Sequence, residues 1–164
     1  MLFRSESDKF TFFQCSDFYV RWLAIKLFDK NIKIINDGIY FLMQIFEDEI
    51  ISYQEMEVIV PILFWCIESK PVQVVDSVLD LIFFIRMHSD PNEYSSVLLS
   101  CLEICGQVSL VHLFSELQFV VGNENNTSIL LEIINFVEHK SIEVAAACSG
   151  TLSILYKKMK KRSE

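Results

Sequence analysis

The chain has 164 residues, of which 52% are hydrophobic and 22% charged, with a net charge of −8 and a mean hydropathy of +0.35. This composition excludes global disorder, which requires low hydrophobicity together with high net charge. The acidic balance argues against a general nucleic-acid-binding protein, whose surface is normally basic. Four glycines and three prolines are too few for the many tight turns of an all-β fold, so the composition favours helices.

The first predicted pair of helices is joined by the polar turn "DKN", Asp29 to Asn31. Ser16 is a candidate N-cap for the helix "DFYVRWLAIKLF" that precedes this turn. After the turn, "IKIINDGIYFLMQIFEDE" has apolar side chains at three- and four-residue steps, which is typical of an amphipathic helix. Asp29 and Asn31 are expected to shape the turn as helix caps.

The second pair begins at "SYQE", where Ser52 and Glu55 have the spacing of a capping box. Pro61 interrupts the following helix, so it is expected either to kink that helix or to mark where the helix begins. After the turn "SKP", the segment "VQVVDSVLDLIFFIRM" is apolar nearly all round, which predicts a helix buried between neighbours.

The third and fourth pairs follow the same order of helix, turn and helix. "DPNE" at Asp90 opens a helix that is expected to continue through Cys105 and to end at Gly106, before "VSLVHLFSELQFVV". After the loop "GNENN", the helices "TSILLEIINFVE" and "IEVAAACSGTLSILYKKMKK" are joined by the turn "HKS".

The four pairs lie near residues 17–48, 53–87, 91–121 and 127–161. Their spacing of about 36 to 40 residues is close to the period of HEAT or armadillo repeats. A single pair cannot cover its own apolar face, whereas a stack of four makes one continuous core. The predicted fold is therefore all-α, an α-solenoid of about four stacked HEAT-like repeats; a globular helical bundle is the alternative. The predicted boundaries are 1–16 for an N-terminal segment, 17–156 for the repeats and 157–164 for a basic tail.

Lysines occupy three of the four turns within the predicted repeats, at Lys30, Lys70 and Lys140. Stacked repeats place equivalent turns along one edge, so these lysines are expected to share it. Turns are exposed and often carry lysine, which is one interpretation. The other is a basic edge that docks a negatively charged protein surface, since three of the only nine basic residues before Lys157 occupy equivalent turns.

The basic tail and the cysteines each leave two interpretations open. The tail carries five cations, which either complement the dipole at a solvated helix end or contact an anionic partner: Lys157, Lys158, Lys160, Lys161 and Arg162. The five cysteines form no C-x-x-C pair and follow no apolar leader, so they are expected to be reduced and mostly buried. Cys101, Cys105 and His112 are the nearest approach to a metal-binding spacing, and core packing explains them better.

The segment "DFYVRWLAIKLFDKN" resembles the hallmark of TOG domains, specifically the C-terminal type found in microtubule polymerases. The motif W-L-x-φ-basic-φ-F-D-x-N is matched by Trp22, Leu23, Lys26, Phe28, Asp29 and Asn31. The similarity continues over residues 17–156 and includes the step from Val60 to Pro61. The resemblance implies a paddle-like stack of HEAT repeats, shortened relative to a full TOG domain of about six repeats, with residues 1–16 as the remnant of a first repeat.

The resemblance also implies a function. Intra-repeat turns of TOG domains bind αβ-tubulin, so the chain is expected to bind tubulin or microtubule ends and to help regulate microtubule assembly or the spindle. It is expected to be no enzyme, to need no cofactor, to bind neither nucleic acid nor membrane, and to be cytoplasmic, on microtubules, the spindle or the spindle pole. The alternative is a HEAT-repeat scaffold that does not bind tubulin and holds another protein. The candidate edge residues are Asp29, Lys30, Asn31, Lys33, Ser69, Lys70, Lys140 and Ser141.

Overall fold

A computed structural model of the chain describes Trp22 and residues 25–47, 49–120 and 126–163. The predicted cap at Ser16 and the predicted N-terminal segment lie outside these residues. The chain divides into two compact units, which we call unit 1 (Met1–Asp90) and unit 2 (Pro91–Glu164). Each unit is described by itself below.

Unit 1 contains three complete helices in its described part: α1 (Ile32–Ile45), α2 (Tyr53–Ser69) and α3 (Val72–Met87). Residues 25–27 are also helical and lead into the first turn. Both α1 and α2 pack against α3. The core comes from apolar side chains three or four residues apart on each helix, including Ile35, Ile39, Leu42, Met56, Val60, Leu63, Val74, Val78 and Leu81.

The start of α2 is set by the predicted capping box. The backbone N–H of Ser52 donates to Glu55 Oε2 at 2.8 Å, and the backbone N–H of Glu55 donates to Ser52 Oγ at 3.4 Å. Because these bonds satisfy first-turn donors, α2 begins at Tyr53 and continues through Pro61. The expectation that Pro61 marks the beginning of the helix is therefore wrong. Proline removes the hydrogen bond to Glu57, whose exposed position lets water replace it.

Helix α3 is buried on one face instead of on all sides. Val74, Val78 and Leu81 are fully buried, whereas Phe83 is 54% exposed and Met87 63% exposed. The loop before α2 is tied to the end of α3 by an isolated β-bridge between Ile51 and Ser89. The backbone N–H of Ile51 also donates to the carbonyl of His88 at 2.7 Å.

Unit 2 contains α4 (Pro91–Ser100), α5 (Gln107–Val120), α6 (Asn126–Ile133), the 3₁₀ helix η1 (Ile134–Glu138) and α7 (Ile142–Ser163). Helix α5 packs against α4 and α7, and η1 packs against α7. The hydroxyl of Thr151, which is fully buried, lies 3.0 Å from the carbonyl oxygen of Phe114 and links α7 to α5.

Two helix ends in unit 2 differ from the sequence-based expectation. Helix α4 stops at Ser100 instead of continuing through Cys105, because the next backbone N–H groups bond to carbonyls three residues back, which tightens the chain into a turn. The segment predicted as one helix after the "GNENN" loop changes from α to 3₁₀ geometry at Ile134. The chain from Lys157 to Ser163 continues α7 as helix.

Candidate protein-binding edge

The first intra-repeat turn of unit 1 is shaped by two polar side chains. Asp29 Oδ1 accepts a hydrogen bond from the backbone N–H of Asn31 at 2.8 Å, and Asn31 Oδ1 accepts one from the N–H of Lys33 at 3.0 Å. Asn31 is the N-cap of α1, as predicted, while Asp29 stabilises the turn without capping the helix. Lys30 is left exposed at the tip of a defined turn, and Lys33 is exposed one residue into α1.

The second turn, between α2 and α3, consists of Lys70 and Pro71. Ser69 Oγ donates to the carbonyl of Trp65 at 2.8 Å, and the backbone N–H of Lys70 donates to the carbonyl of Cys66 at 2.9 Å. The second bond satisfies the Cys66 carbonyl, which is one of the last four of α2 and has no donor within the helix. Pro71 then starts α3 with an extended backbone that cannot continue the preceding helix.

The side chain of Lys70 joins the two turns. Its ammonium group donates to the backbone carbonyl of Asp29 at 3.0 Å and lies 5.5 Å from the centroid of the Trp65 ring. Its charge is therefore engaged within unit 1, in contrast to that of the exposed Lys30. Lys70 was grouped with Lys30 from its position in the sequence, and the structure gives these two lysines different surroundings.

Two exposed aromatic rings lie beside this link. The centroids of Phe28 and Trp65 are 4.6 Å apart, and the two residues remain 55% and 42% exposed. We call Phe28, Lys30, Lys33, Trp65 and Lys70 the unit 1 edge. The candidate residues chosen from the sequence missed both aromatic rings. The available signal was the position of Trp65, which lies off the buried stripe of α2 and close to a turn.

Trp22 differs from Trp65 in its surroundings. Its ring makes an edge contact with Phe41 at 5.4 Å between centroids, and Phe41 belongs to the buried core of α1. The ammonium group of Lys26 lies 5.4 Å from the Trp22 ring centroid. The half-buried Trp22 therefore packs largely within unit 1.

The corresponding turn of unit 2 contains Lys140 and Ser141. Ser141 Oγ accepts from the backbone N–H of Val144 at 3.4 Å, and the hydroxyl lies 2.7 Å from Glu143 Oε2. The hydroxyl of Ser141 lowers the pKa of Glu143 by stabilising its ionised form. Lys140 is exposed, and the anionic Glu143 follows it at the start of α7.

An apolar cavity of about 370 Å³ lies next to this unit 2 turn. Burial lowers the pKa of His112 in its wall, so this imidazole is neutral at pH 7. The neutral imidazole and the side chains of Val108 and Val111 form walls that suit an apolar side chain of a partner. The cavity is lined by Gln107, Val108, Val111, His112, Ser141 and Glu143.

Three buried cysteines of the described residues, Cys66, Cys101 and Cys148, are poor nucleophiles at neutral pH. Burial raises the pKa of the Cys66 and Cys148 thiols to about 11 and that of Cys101 to about 12. Within the described ranges, no group of three or more His, Cys, Asp or Glu side chains could hold a metal ion. The helices of the same ranges include none long and apolar enough to cross a membrane.

Comparisons with known proteins place this geometry in a known fold. No protein-family model matches the sequence, and no curated protein is significantly similar to it. One similar solved structure is described by the words "TOG-tubulin binding specificity promotes microtubule dynamics and mitotic spindle formation"; it has a TM-score of 0.71 and 18% identity, with 87% of this chain and 65% of that chain covered. A TOG domain structure from C. elegans Zyg9 has a TM-score of 0.69 and 17% identity, with 87% and 57% covered.

The chain thus spans between 57% and 65% of the length of these two structures. At such identities the likeness shows the fold, and it confirms the predicted fold class and the resemblance seen in the sequence. The chain has the all-α, HEAT-repeat fold of a TOG domain.

Proposed function

We propose that this chain is a non-catalytic, TOG-like module that binds αβ-tubulin or microtubule ends through its intra-repeat turns. In this role it helps to regulate microtubule assembly or the spindle, in the cytoplasm and on microtubules, the spindle or the spindle pole. The proposal is supported by the likeness to a structure described by its TOG–tubulin binding specificity. It includes neither a nucleic-acid nor a membrane partner.

The observation that carries the proposal is the unit 1 edge. The hydrogen bond from Lys70 to Asp29 connects two successive turns, so exposed side chains from both turns are held in one place before any partner arrives. Such preorganisation lowers the entropy cost of association. The edge then offers exposed cations at Lys30 and Lys33 together with the exposed rings of Phe28 and Trp65, a combination suited to an acidic protein surface with apolar pockets.

The candidate residues divide into two roles under this proposal. Lys30, Lys33 and Lys140 contact the acidic partner directly. The remaining candidates stabilise the turns or link one turn to the next, and they are Asp29, Asn31, Ser69, Lys70 and Ser141. Because the whole chain has a net charge of −8, long-range steering toward an acidic partner is unfavourable, so close contacts at the turns must supply the affinity.

A tubulin-binding measurement with two single charge reversals tests the proposal. Lys30→Glu changes the edge, whereas Arg86→Glu makes the same change in charge in the last turn of α3. We expect Lys30→Glu to weaken binding to αβ-tubulin by about tenfold, equal to about 1.4 kcal/mol, and Arg86→Glu to leave binding within about twofold. Fluorescence anisotropy with labelled tubulin gives both values.

Two results would contradict the proposal in different ways. If the wild-type chain forms no complex with tubulin at tens of micromolar, tubulin is not its partner. If it binds but the two variants weaken binding equally, the partner is correct and the edge is wrong. Far-UV circular dichroism of each variant confirms that the helices are intact.

A second candidate function is a HEAT-repeat scaffold that holds a protein other than tubulin. It is favoured by an apolar face in unit 2, where Leu131, Ile134 and Val137 are 66%, 47% and 41% exposed. These residues follow one another at three-residue steps across α6 and η1, so they present a row of apolar groups. A folded wild-type chain that fails to bind tubulin would favour this candidate.

A further inference from the structure

The last turns of α7 carry three exposed lysines on one face. At 100° per residue, Lys157, Lys160 and Lys161 fall within an arc of about 100° around the helix axis. We call these three residues the α7 stripe. Tyr156, which is 68% exposed, borders the stripe and can donate a hydrogen bond from its hydroxyl to an anion.

The α7 stripe points away from the packed side of the helix. Thr151 and Leu155 are fully buried and lie on the opposite face, where α7 packs against α5. Thr151 is level with Phe114 and Gln118 of α5, which ends at Val120. The stripe therefore lies further along α7 than the residues that contact α5 through these hydrogen bonds.

Within α7, the acidic residue nearest to the α7 stripe is Glu143, at the opposite end of the helix. The sequence contains no Asp or Glu between Glu143 and Glu164. Lys157 is followed by lysines three and four residues later, and like charges at these spacings destabilise a helix. The helix dipole favours a cation only in the final turn, which accounts for part of the cluster. An external anion would relieve the remaining repulsion.

We propose that the α7 stripe is a docking site for a short acidic segment of another polypeptide, with three to five Asp or Glu residues. The stripe extends about 6 Å along the helix axis, and an extended segment of four residues spans about 13 Å, so such a segment can reach every lysine of the stripe. This site shares no residue with the unit 1 edge, and the inference does not depend on tubulin binding.

The negative charge of the chain favours a short acidic segment over a large polyanion as the partner of the α7 stripe. Residues 91–156 of unit 2 contain 1 basic and 7 acidic residues, and 1 − 7 gives a net charge of −6. Duplex DNA carries one charge per about 1.7 Å, and an anionic membrane is also densely charged. Either would bring many negative charges within the Debye length of about 8 Å of this acidic body. A few carboxylates avoid most of that repulsion.

The test measures the binding of a fluorescein-labelled hexaglutamate peptide to the full chain by anisotropy. The test variant is Lys157→Gln/Lys160→Gln/Lys161→Gln, and the control variant, Lys9→Gln/Lys26→Gln/Arg86→Gln, removes the same charge from unit 1 outside the unit 1 edge. Glutamine has nearly the helix propensity of lysine, so α7 is expected to persist.

We expect at least a tenfold loss of affinity in the test variant and less than a twofold loss in the control. Raising salt from about 50 to 200 mM should weaken the wild type strongly and the test variant little.

Three results would overturn the inference. The first is a wild-type chain that binds hexaglutamate no better than labelled hexaglutamine. The second is an equal loss of affinity in the test and control variants, which would indicate a diffuse charge effect. The third is tighter binding to a labelled 12-base-pair duplex or to phosphatidylserine vesicles than to hexaglutamate. Circular dichroism and thermal unfolding check that each variant is folded.

Discussion

The ammonium group of Lys70 donates a hydrogen bond to the backbone carbonyl of Asp29 at 3.0 Å, across 41 residues of sequence. Hydrogen bonds from charged donors contribute more than neutral ones, and this bond is partly buried. The same ammonium group lies over the ring of Trp65, at 5.5 Å from its centroid. One side chain thus stabilises the contact between two turns and orients an exposed ring.

Lys70→Met should destabilise unit 1 by about 1–2 kcal/mol, because the carbonyl of Asp29 loses a charged donor while the apolar stem is kept. Lys30→Met, at the exposed tip of the turn that contains Asp29, should change stability by less than about 0.5 kcal/mol. Both tryptophans of the chain, Trp22 and Trp65, belong to unit 1, so urea unfolding followed by their fluorescence reports on this unit. Equal midpoints for the two variants would show that the Lys70 bond contributes nothing.

Asn31→Ala should cost about 1 kcal/mol of stability in unit 1, because the N–H of Lys33 loses the side chain that caps α1. Asn31→Asp should retain most of the stability, since a carboxylate can accept the same bond and also favours the helix N-terminus. Urea unfolding of the three proteins measures the difference. A loss of the same size in both variants would mean that Asn31 acts through another contact.

Local signals along the chain were sufficient to predict much of the fold. The capping box of Ser52 and Glu55 and the cap at Asn31 involve residues two or three positions apart, so their spacing reveals them. The repeat period likewise follows from the order of apolar segments and polar turns. These features identified the fold class and the positions of the turns before any tertiary contact was known.

Features that depend on contacts between distant residues could not be predicted in this way. Nothing near Lys70 in the sequence reveals that its partner is the carbonyl of Asp29, or that Trp65 packs against Phe28. The early end of α4 at Ser100 and the 3₁₀ geometry after Ile133 also differ from the expectation. In those segments the apolar spacing continues as in an α-helix, so periodicity alone does not distinguish a continuing α-helix from a turn or a 3₁₀ helix.

Thr151→Val should destabilise unit 2 by about 1–2 kcal/mol although it preserves the volume of the side chain. The hydroxyl of Thr151 bonds to the carbonyl of Phe114 and accepts from Gln118 Nε2, so valine leaves the amide of Gln118 without this partner in a half-buried site. Thr151→Ser keeps the hydroxyl and should lose less. Urea unfolding followed by circular dichroism at 222 nm gives the comparison, and a serine variant less stable than the valine variant would contradict the assignment.

The buried thiols should resist modification by a thiol reagent in the folded chain. With a pKa of about 11, Cys66 and Cys148 hold about 0.1% thiolate at pH 8, against about 25% for a free thiol of pKa about 8.5. In a Cys15→Ser/Cys105→Ser background, we expect labelling by Ellman's reagent to be at least about 100-fold slower in native protein than in guanidinium chloride. Similar rates in the two conditions would mean that these thiols are accessible.

The same thiols should make the stability of the folded chain depend on pH in the alkaline range. Their pKa is raised in the folded chain, so the folded state binds more protons than the unfolded state above pH of about 8.5. Their contribution to stability is therefore complete below that pH and declines as pH rises toward about 11. Urea midpoints at pH 8 and 10 should differ more in this background than in a variant that also carries Cys66→Ala.

Trp65→Ala should weaken tubulin binding by about 30-fold under the proposed function, because partly exposed tryptophans at protein interfaces often supply the largest share of the binding free energy. Phe83→Ala is a matched control, since Phe83 is 54% exposed and has the guanidinium of Arg86 4.9 Å from its ring centroid, as Trp65 has Lys70. Both substitutions remove a half-exposed ring and should reduce stability by a similar amount, about 1–2 kcal/mol. Only the first removes a ring from the unit 1 edge. Equal effects of the two variants on tubulin affinity would exclude a specific role for Trp65, whereas a loss confined to Trp65→Ala would separate binding from folding at this position.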